Sequence, residues 1–585
     1  MSILRAIKRF RLILSSHQKL RIIELAFLMI IGGLLETLSV SLILPFMDVV
    51  MNPEETMSKS YVSVICEVFG IDSHRSFLVF IAIALAVIYL FKNVYLVMEY
   101  NVQYRFVYGN MFMMQQRMLE NFINKPYEHF LNISSGDVIR IINDDTPQVF
   151  VTLVNLLSMF TELVVSAMLI LAIFLIAPKV TVFMALVLGV MVIIIDSILR
   201  PLMNKAGKER QLSGSGMNKW LLQSIQGIKE LKVSCKENIF KNEYNRYGWR
   251  YVNSIRVNNV LSIIPRFFLE AICMCTVFIF IAIYIYSGAD IETMIPVLSA
   301  VAVAAMRLLP SVNRISSAAA SISYCDPMLD KLIESMRNIT EECDGCTSKP
   351  ELVQQDDNIV PSLKEKLDFC DISYKYPTGD TEVLSNAFME IQCGQSVGIV
   401  GPSGAGKTTA VDILLGLLVP QNGQVLVDGI NIASDMQGWL SQIGYIPQQI
   451  FMLDDTIRSN VAFGEKDISD EKVWKALSEA ALDEFVKELP DGLDTEIGER
   501  GMRLSGGQRQ RIGIARALYK DPDILFFDEA TSALDKDTES EIMESVNRLH
   551  GKKTLVIIAH RLSTIENCDV VYRVENGKIH LETSR

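Results

Sequence analysis

The run Gly401-Pro-Ser-Gly-Ala-Gly-Lys-Thr-Thr409 places glycines, a lysine and two hydroxyls at the spacing of a phosphate-binding loop. Glycine lets backbone wrap closely, so Gly401, Ser403, Gly404, Ala405 and Gly406 form a cradle whose N–H groups can point at phosphate oxygens. Lys407 adds a full positive charge, and Thr408 and Thr409 stand where a helix N-terminus adds a partial one. The Thr408 hydroxyl is a candidate Mg²⁺ ligand. The apolar run Ser396–Val400 before the loop reads as a buried strand, and 410–418 after it as an apolar-faced helix. A strand, this loop and a helix in succession predict binding of a nucleoside triphosphate.

A second run, Ile524-Leu-Phe-Phe-Asp528-Glu529, reads as a buried strand ending in two carboxylates, where an open α/β sheet presents its ligands. Asp528 is placed to hold Mg²⁺ through its water shell, and Glu529 to polarise an attacking water as general base. Between the two runs lies Leu504-Ser-Gly-Gly-Gln508. Ser505, Gly506, Gly507 and Gln508 enter a helix and offer backbone donors suited to a γ-phosphate, though a serine-capped turn has the same composition.

With these three elements in this order, the chain resembles the ATPases of the ABC transporter family. The resemblance implies further roles. Ile446-Pro-Gln448 looks like the loop whose glutamine reaches Mg²⁺ and the attacking water and also contacts the membrane part. Ser532-Ala-Leu-Asp535 looks like the loop that communicates between two ATP sites, and His560 like the histidine that contacts the γ-phosphate. Tyr376 is similar to the aromatic that stacks on adenine, with Tyr374 close enough to compete for that role. Thr495–Gly501 resembles the loop of exporters that precedes the signature. In this family ATP sits between one subunit's phosphate loop and its partner's LSGGQ. With one copy of each, two chains are implied, a homodimer being the simplest arrangement and a heterodimer the alternative.

These residues need an α/β domain, and 366–585 alternates strand-like and helical runs as one requires. The rest of the chain has another character. Of 585 residues half are hydrophobic, 21% are charged, and mean hydropathy is +0.28, the apolar excess lying in the first three-fifths. This pattern predicts a helical membrane domain, 1–334, with six spans near 22–50, 77–98, 149–177, 180–199, 262–287 and 291–318. Basic residues before the first span and in the long polar segments 99–148 and 200–260 put both termini in the cytoplasm, with long helices extending there. Residues 51–75 read equally as a short surface helix on the outer face or as an exterior loop, and 335–365 as the linker. Net charge of −12 argues against nucleic acid as a partner, and the cysteines, Cys343 and Cys346 included, show no disulfide or zinc spacing. The fold class expected is a membrane all-α domain fused to an α/β P-loop ATPase domain, with ATP and Mg²⁺ as cofactors.

Charges inside apolar spans are costly and mark a cavity, a partner or a path. Lys92 lies in the second span, Arg266 and Glu270 open the fifth, and Arg307 and Arg314 lie two helical turns apart in the sixth. A basic stripe facing a cavity suits a phosphate or pyrophosphate head group; the alternative is snorkelling, or pairing with Glu36, Glu162 or Glu270. The runs IIPRFFLE and RLLPSVNRI, and the first-span run from Glu36 to Phe46, resemble the bacterial lipid-linked oligosaccharide flippases of protein N-glycosylation. That resemblance implies a bacterial inner-membrane protein with a polyisoprenyl-pyrophosphate oligosaccharide as cargo and Arg266, Arg307, Arg314 and Lys92 as its contacts. Lys92 departs from the pattern, which prefers arginine there; the charge is kept and the planar fork lost. An exporter of other lipids, drugs or peptides is the alternative.

Overall fold

The computed structural model describes residues 2–42, 46, 74–131, 133–176, 178–286, 291–345, 362–377, 379, 381–528, 540, 543–544, 546–559 and 565–584. Contacts divide the chain into two compact units: Met1–Lys125 with Asn132–Lys349, and Pro126–Leu131 with Pro350–Arg585.

The first unit is helical. Its elements are α1 (Ser2–Ile13), α2 (Ser16–Ser41), α3 (His74–Ile123), α4 (Ser135–Arg140), α5 (Thr146–Ile176), α6 (Pro178–Gln226), α7 (Ile228–Ser234), α8 (Glu237–Tyr286) and α9 (Ile291–Gly345). At 1.5 Å per residue the 50-residue α3 is about 75 Å long, far more than the ~30 Å of a bilayer core. Among the described residues three helical stretches are long and apolar enough to cross a membrane: Ser16–Ser39, Arg75–Ile123 and Ser135–Leu171. The later expected spans lie on α6, α8 and α9, and the outer segment at 51–73 falls outside the described residues.

Pro310 does not end α9, which runs unbroken from Ile291 to Gly345. The expected linker therefore begins as helix: 335–345 continues α9, since its Glu, Met and Arg residues favour helix and the breakers Gly345 and Pro350 come only afterwards. The core of this unit gathers Phe10, Met29, Phe106, Met118, Phe150, Met203, Tyr324 and Met328 from α1, α2, α3, α5, α6 and α9. Helix α1 is amphipathic: Ala6, Phe10 and Ile13 are buried, and Arg9 pairs with Asp326 at 3.1 Å and Asp330 at 2.7 Å on α9.

The second unit is built on two sheets. Strands β1 (Lys366–Tyr374), β2 (Leu384–Gln392), β4 (Asn422–Val427) and β5 (Ile430–Asn431) form an antiparallel sheet in the order β2-β1-β4-β5. Strands β3 (Ser396–Val400), β6 (Ile443–Ile446), β7 (Ile524–Asp528), β8 (Thr554–Ile558), β9 (Val570–Glu575) and β10 (Lys578–Ser584) form the other, ordered β10-β9-β3-β8-β7-β6. All of its pairings are parallel except β10 with β9. Strands β3, β7 and β8 are buried at every position, which explains their unbroken apolar runs. Helix α10 (Lys407–Leu414) follows β3, and α11 (Gly506–Leu518) precedes β7.

Candidate functional site

Strands β3 and β7 flank β8 in one parallel sheet, so the phosphate loop and the Asp528 carboxylate leave the same edge. Gly401, Gly404 and Gly406 all take positive φ, at +152°, +79° and +104°. At Gly401 a side chain is barred outright, because its Cβ would collide with the Val574 carbonyl of β9. Nothing lies within 4 Å of the Cβ position at Gly404, which leaves the cradle open on that side. Lys407 is buried, its ammonium donating to the carbonyls of Gly401 at 2.9 Å and Pro402 at 3.0 Å across the loop.

The two threonines that start α10 divide their work. Thr409 is buried, with its hydroxyl 3.0 Å from that of Tyr376, whereas Thr408 is exposed. An exposed hydroxyl at the helix start, a neighbouring Asp528 carboxylate on the sheet edge and an open glycine cradle fit Mg²⁺ and a triphosphate. Tyr374 is fully buried in β1 and packs edge-on against Tyr376, ring centroids 5.1 Å apart. Only Tyr376 of the two is partly exposed, next to α10, which favours it as the adenine platform.

At the signature, Ser505 caps α11. Its hydroxyl accepts from the Gln508 N–H at 3.2 Å, and the Gln508 amide oxygen accepts from the Ser505 N–H at 2.8 Å. Gly506 is exposed and Gly507 half-buried, so their N–H groups stand at an accessible helix start. Gln448 is exposed just beyond β6. Glu529, His560 and the Ser532–Asp535 run lie outside the described residues.

Two family models match complementary parts of the chain: the ABC transporter transmembrane region over residues 22–306, and the ABC transporter model over residues 384–532. The chain belongs to the ABC transporter family. It carries one ABC transporter transmembrane region and one ABC transporter ATP-binding domain. A solved structure titled as a bacterial Atm1-family ABC exporter with ATP bound shares the fold, with TM-score 0.74 and 24% identity, covering 98% of this chain and 96% of that one. An ATP-dependent lipid A-core flippase of Chromobacterium violaceum is 42% identical over 221 residues, 38% of each chain. A leukotoxin translocation ATP-binding protein, LktB, of Mannheimia glucosida is 29% identical over 469 residues, 79% of this chain and 64% of its own. In each case the match spans less than two thirds of the relative's length.

Sequence reasoning passed over several residues of this ATPase domain. Tyr445 of β6 donates to Asp528 at 3.3 Å. Asp412 of α10 is pushed up to about 6 by burial and by the nearby Asp528 charge. Arg516 of α11 donates to the carbonyls of Asn460 and Phe451, each at 2.8 Å, and stacks 4.3 Å from the Phe463 ring centre. It thereby ties the segment after Gln448 to the signature helix. None of these belongs to a motif with distinctive spacing. Pro126–Leu131 joins this unit as well: Tyr374 donates to Glu128 at 3.0 Å. Burial, then Asp412, Tyr376 and Asp528, push the Tyr127 phenol up, so this short segment reaches the nucleotide loop's surroundings.

Of the intramembrane charges, Lys92 is buried, its ammonium 5.1 Å from the Tyr89 ring centre. Arg266 and Glu270 are exposed on α8. Arg314 on α9 pairs with Glu162 on α5, the pairing alternative raised for it. Arg307 lies on the same helix, seven residues before Arg314.

Proposed function

We propose that the chain is half of an ATP-driven exporter that moves a polyisoprenyl-pyrophosphate-linked oligosaccharide from the inner to the outer leaflet of a bacterial inner membrane. It works as a homodimer with both termini in the cytoplasm. The observation that carries the cargo class is the set of cationic side chains, Lys92, Arg266 and Arg314, on otherwise apolar helices. Arginine's planar fork suits a phosphate or pyrophosphate group better than a neutral cargo.

On the ATPase side, the loop from Gly401 to Gly406 and Lys407 hold the phosphates, and Tyr376 receives the adenine. Thr408, Asp528 and Gln448 hold Mg²⁺. The ion, when bound, neutralises charge on the β- and γ-phosphates. Glu529 acts as general base and His560 steadies the γ-phosphate. The partner chain's copy of 505–508 closes each site, since one loop and one signature occur per chain.

A second reading, export of another phosphate-bearing lipid, is favoured by the relative named as a lipid A-core flippase. The test is reconstitution in liposomes containing labelled polyisoprenyl-pyrophosphate glycan, with Glu529→Gln as control. ATP-dependent movement lost in the variant supports the reading. Hydrolysis without movement of the glycan, but with movement of lipid A, sinks it in favour of the second. Substituting Arg266, Arg307 and Arg314 together with alanine should abolish flipping and leave basal hydrolysis.

A further inference from the structure

We propose that Glu162 is a built-in competitor for Arg314, so that an anionic head group binds this arginine only by displacing it. The inference rests on the anionic-lipid reading above and names a residue that sets its selectivity.

The pair is asymmetric. The Glu162 side chain is 9% exposed and that of Arg314 61%, so the carboxylate is the fixed member and the guanidinium the accessible one. The guanidinium uses Nη1 on Glu162, and its fork carries further donors outside that bond. The surroundings are acidic. Glu36 of α2 and Tyr100 of α3 also act electrostatically on Arg314, and Tyr100 in turn senses Glu36, Glu99 and Glu162. Helices α2, α3, α5 and α9 thus bring two carboxylates, Glu162 and Glu36, to bear on the Arg314 guanidinium, with Glu99 acting on the neighbouring Tyr100. With Glu162 in place, an incoming anion meets a neutralised arginine that also feels Glu36. Long-range attraction at Arg314 is switched off.

The neighbourhood also contains unpaired polar groups that give a displaced carboxylate somewhere to go. Gln103, one turn along α3 from Glu99, is 1% exposed, and among the described residues neither atom of its amide has a hydrogen-bond partner. Ser166, one turn along α5 from Glu162, is buried with its hydroxyl unpaired. Buried donors without partners are costly and seek acceptors. A second position for Glu162 among them gives the arginine two states: capped by its own chain, or open to cargo.

Full-length protein in nanodiscs tests this. ATPase stimulation is titrated with undecaprenyl pyrophosphate and, separately, with phosphatidylglycerol, in wild type, Glu162→Gln and Glu162→Asp. Removing the charge should lower the half-saturating concentration of an anionic lipid roughly tenfold, while Glu162→Asp stays within about twofold of wild type. Arg314→Ala should cancel the gain when combined with Glu162→Gln. Tightening for undecaprenyl pyrophosphate supports both the competitor and the cargo reading. Tightening for phosphatidylglycerol alone keeps the competitor and removes the pyrophosphate cargo. Stimulation by undecaprenyl pyrophosphate that Glu162→Gln leaves unchanged or weakens overturns the competitor and leaves the cargo standing. No tightening for either lipid overturns it as well. If Glu162→Gln does not assemble, Glu162→Ala serves the same comparison.

Discussion

Tyr445 donates its phenol to Oδ2 of Asp528 across 3.3 Å, from the strand that pairs directly with the one Asp528 ends. Burial and the Asp528 charge push the phenol up, so it remains a donor throughout the working pH range. The bond fixes one carboxylate oxygen of the proposed Mg²⁺ partner and links it to the strand that delivers Gln448. Tyr445→Phe removes only that hydroxyl. The Mg²⁺ concentration giving half-maximal ATPase should rise about three- to tenfold, as expected for losing one hydrogen bond of ordinary net worth at this 3.3 Å separation. Nucleotide affinity measured without metal should not change. An unaltered Mg²⁺ titration would remove this role from Tyr445.

Asp412 sets a pH dependence. Burial and then the Asp528 charge raise its carboxyl from 3.8 to about 6. The folded state therefore binds more protons than the unfolded chain between those values, and stability falls as pH rises through that window. Above about pH 6 the full cost is present; below the unfolded value it is absent. Asp412→Asn escapes the cost. Its melting temperature, compared with wild type in the absence of nucleotide, should gain between pH 4 and 6 and keep a constant lead above that. A difference that does not vary with pH would mean Asp412 is not held up in the folded state.

Ser505 serves two purposes that separate by substitution. As the cap of α11 it accepts from the Gln508 N–H, and loss of such a cap costs about 1 kcal/mol. In the proposed dimer it would face a γ-phosphate bound by the partner chain. Ser505→Ala should lower both thermal stability and hydrolysis. Ser505→Asp keeps an acceptor at the cap and brings negative charge toward phosphate, so stability should be retained while hydrolysis is lost. Equal hydrolysis in wild type and Ser505→Asp would show that this residue only caps the helix.

Much of the nucleotide site is legible in the sequence because its chemistry is local. Gly401 to Thr409 is one continuous loop, and Ile524–Asp528 is an apolar run because both faces of its strand are covered. The sequence favours Tyr376 over Tyr374 only through the family resemblance, since strand alternation puts both on the same side. The structure separates them by burying one and placing the other against Thr409. Tyr445, Asp412 and Arg516 were invisible because their roles depend on which strand or loop lies beside them. Glu162 was visible as one of three acids available to Arg314, and helix packing alone chose it. The extension of α9 to Gly345 shows that charge content is a poor sign of a linker when the residues favour helix.

Tyr374 links the proposed adenine platform to a segment outside the nucleotide loop. It packs edge-on against Tyr376 and donates to Glu128, which lies in Pro126–Leu131, the short segment that joins the ATPase unit although its flanking chain belongs to the helical unit. Burial, then the bond to Glu128, push the Tyr374 phenol up, so it stays protonated and donates at any working pH. Tyr374→Phe preserves the ring packing under Tyr376 and deletes the link to Glu128. ATP affinity should therefore stay within about twofold of wild type, while cargo-stimulated hydrolysis falls by roughly tenfold or more, the worth of one charge-assisted hydrogen bond. Glu128→Gln keeps an acceptor for the phenol but lacks the charge, so it should lose less than Tyr374→Phe. A fall in ATP affinity as large as the fall in stimulation would instead assign Tyr374 to the adenine platform alone.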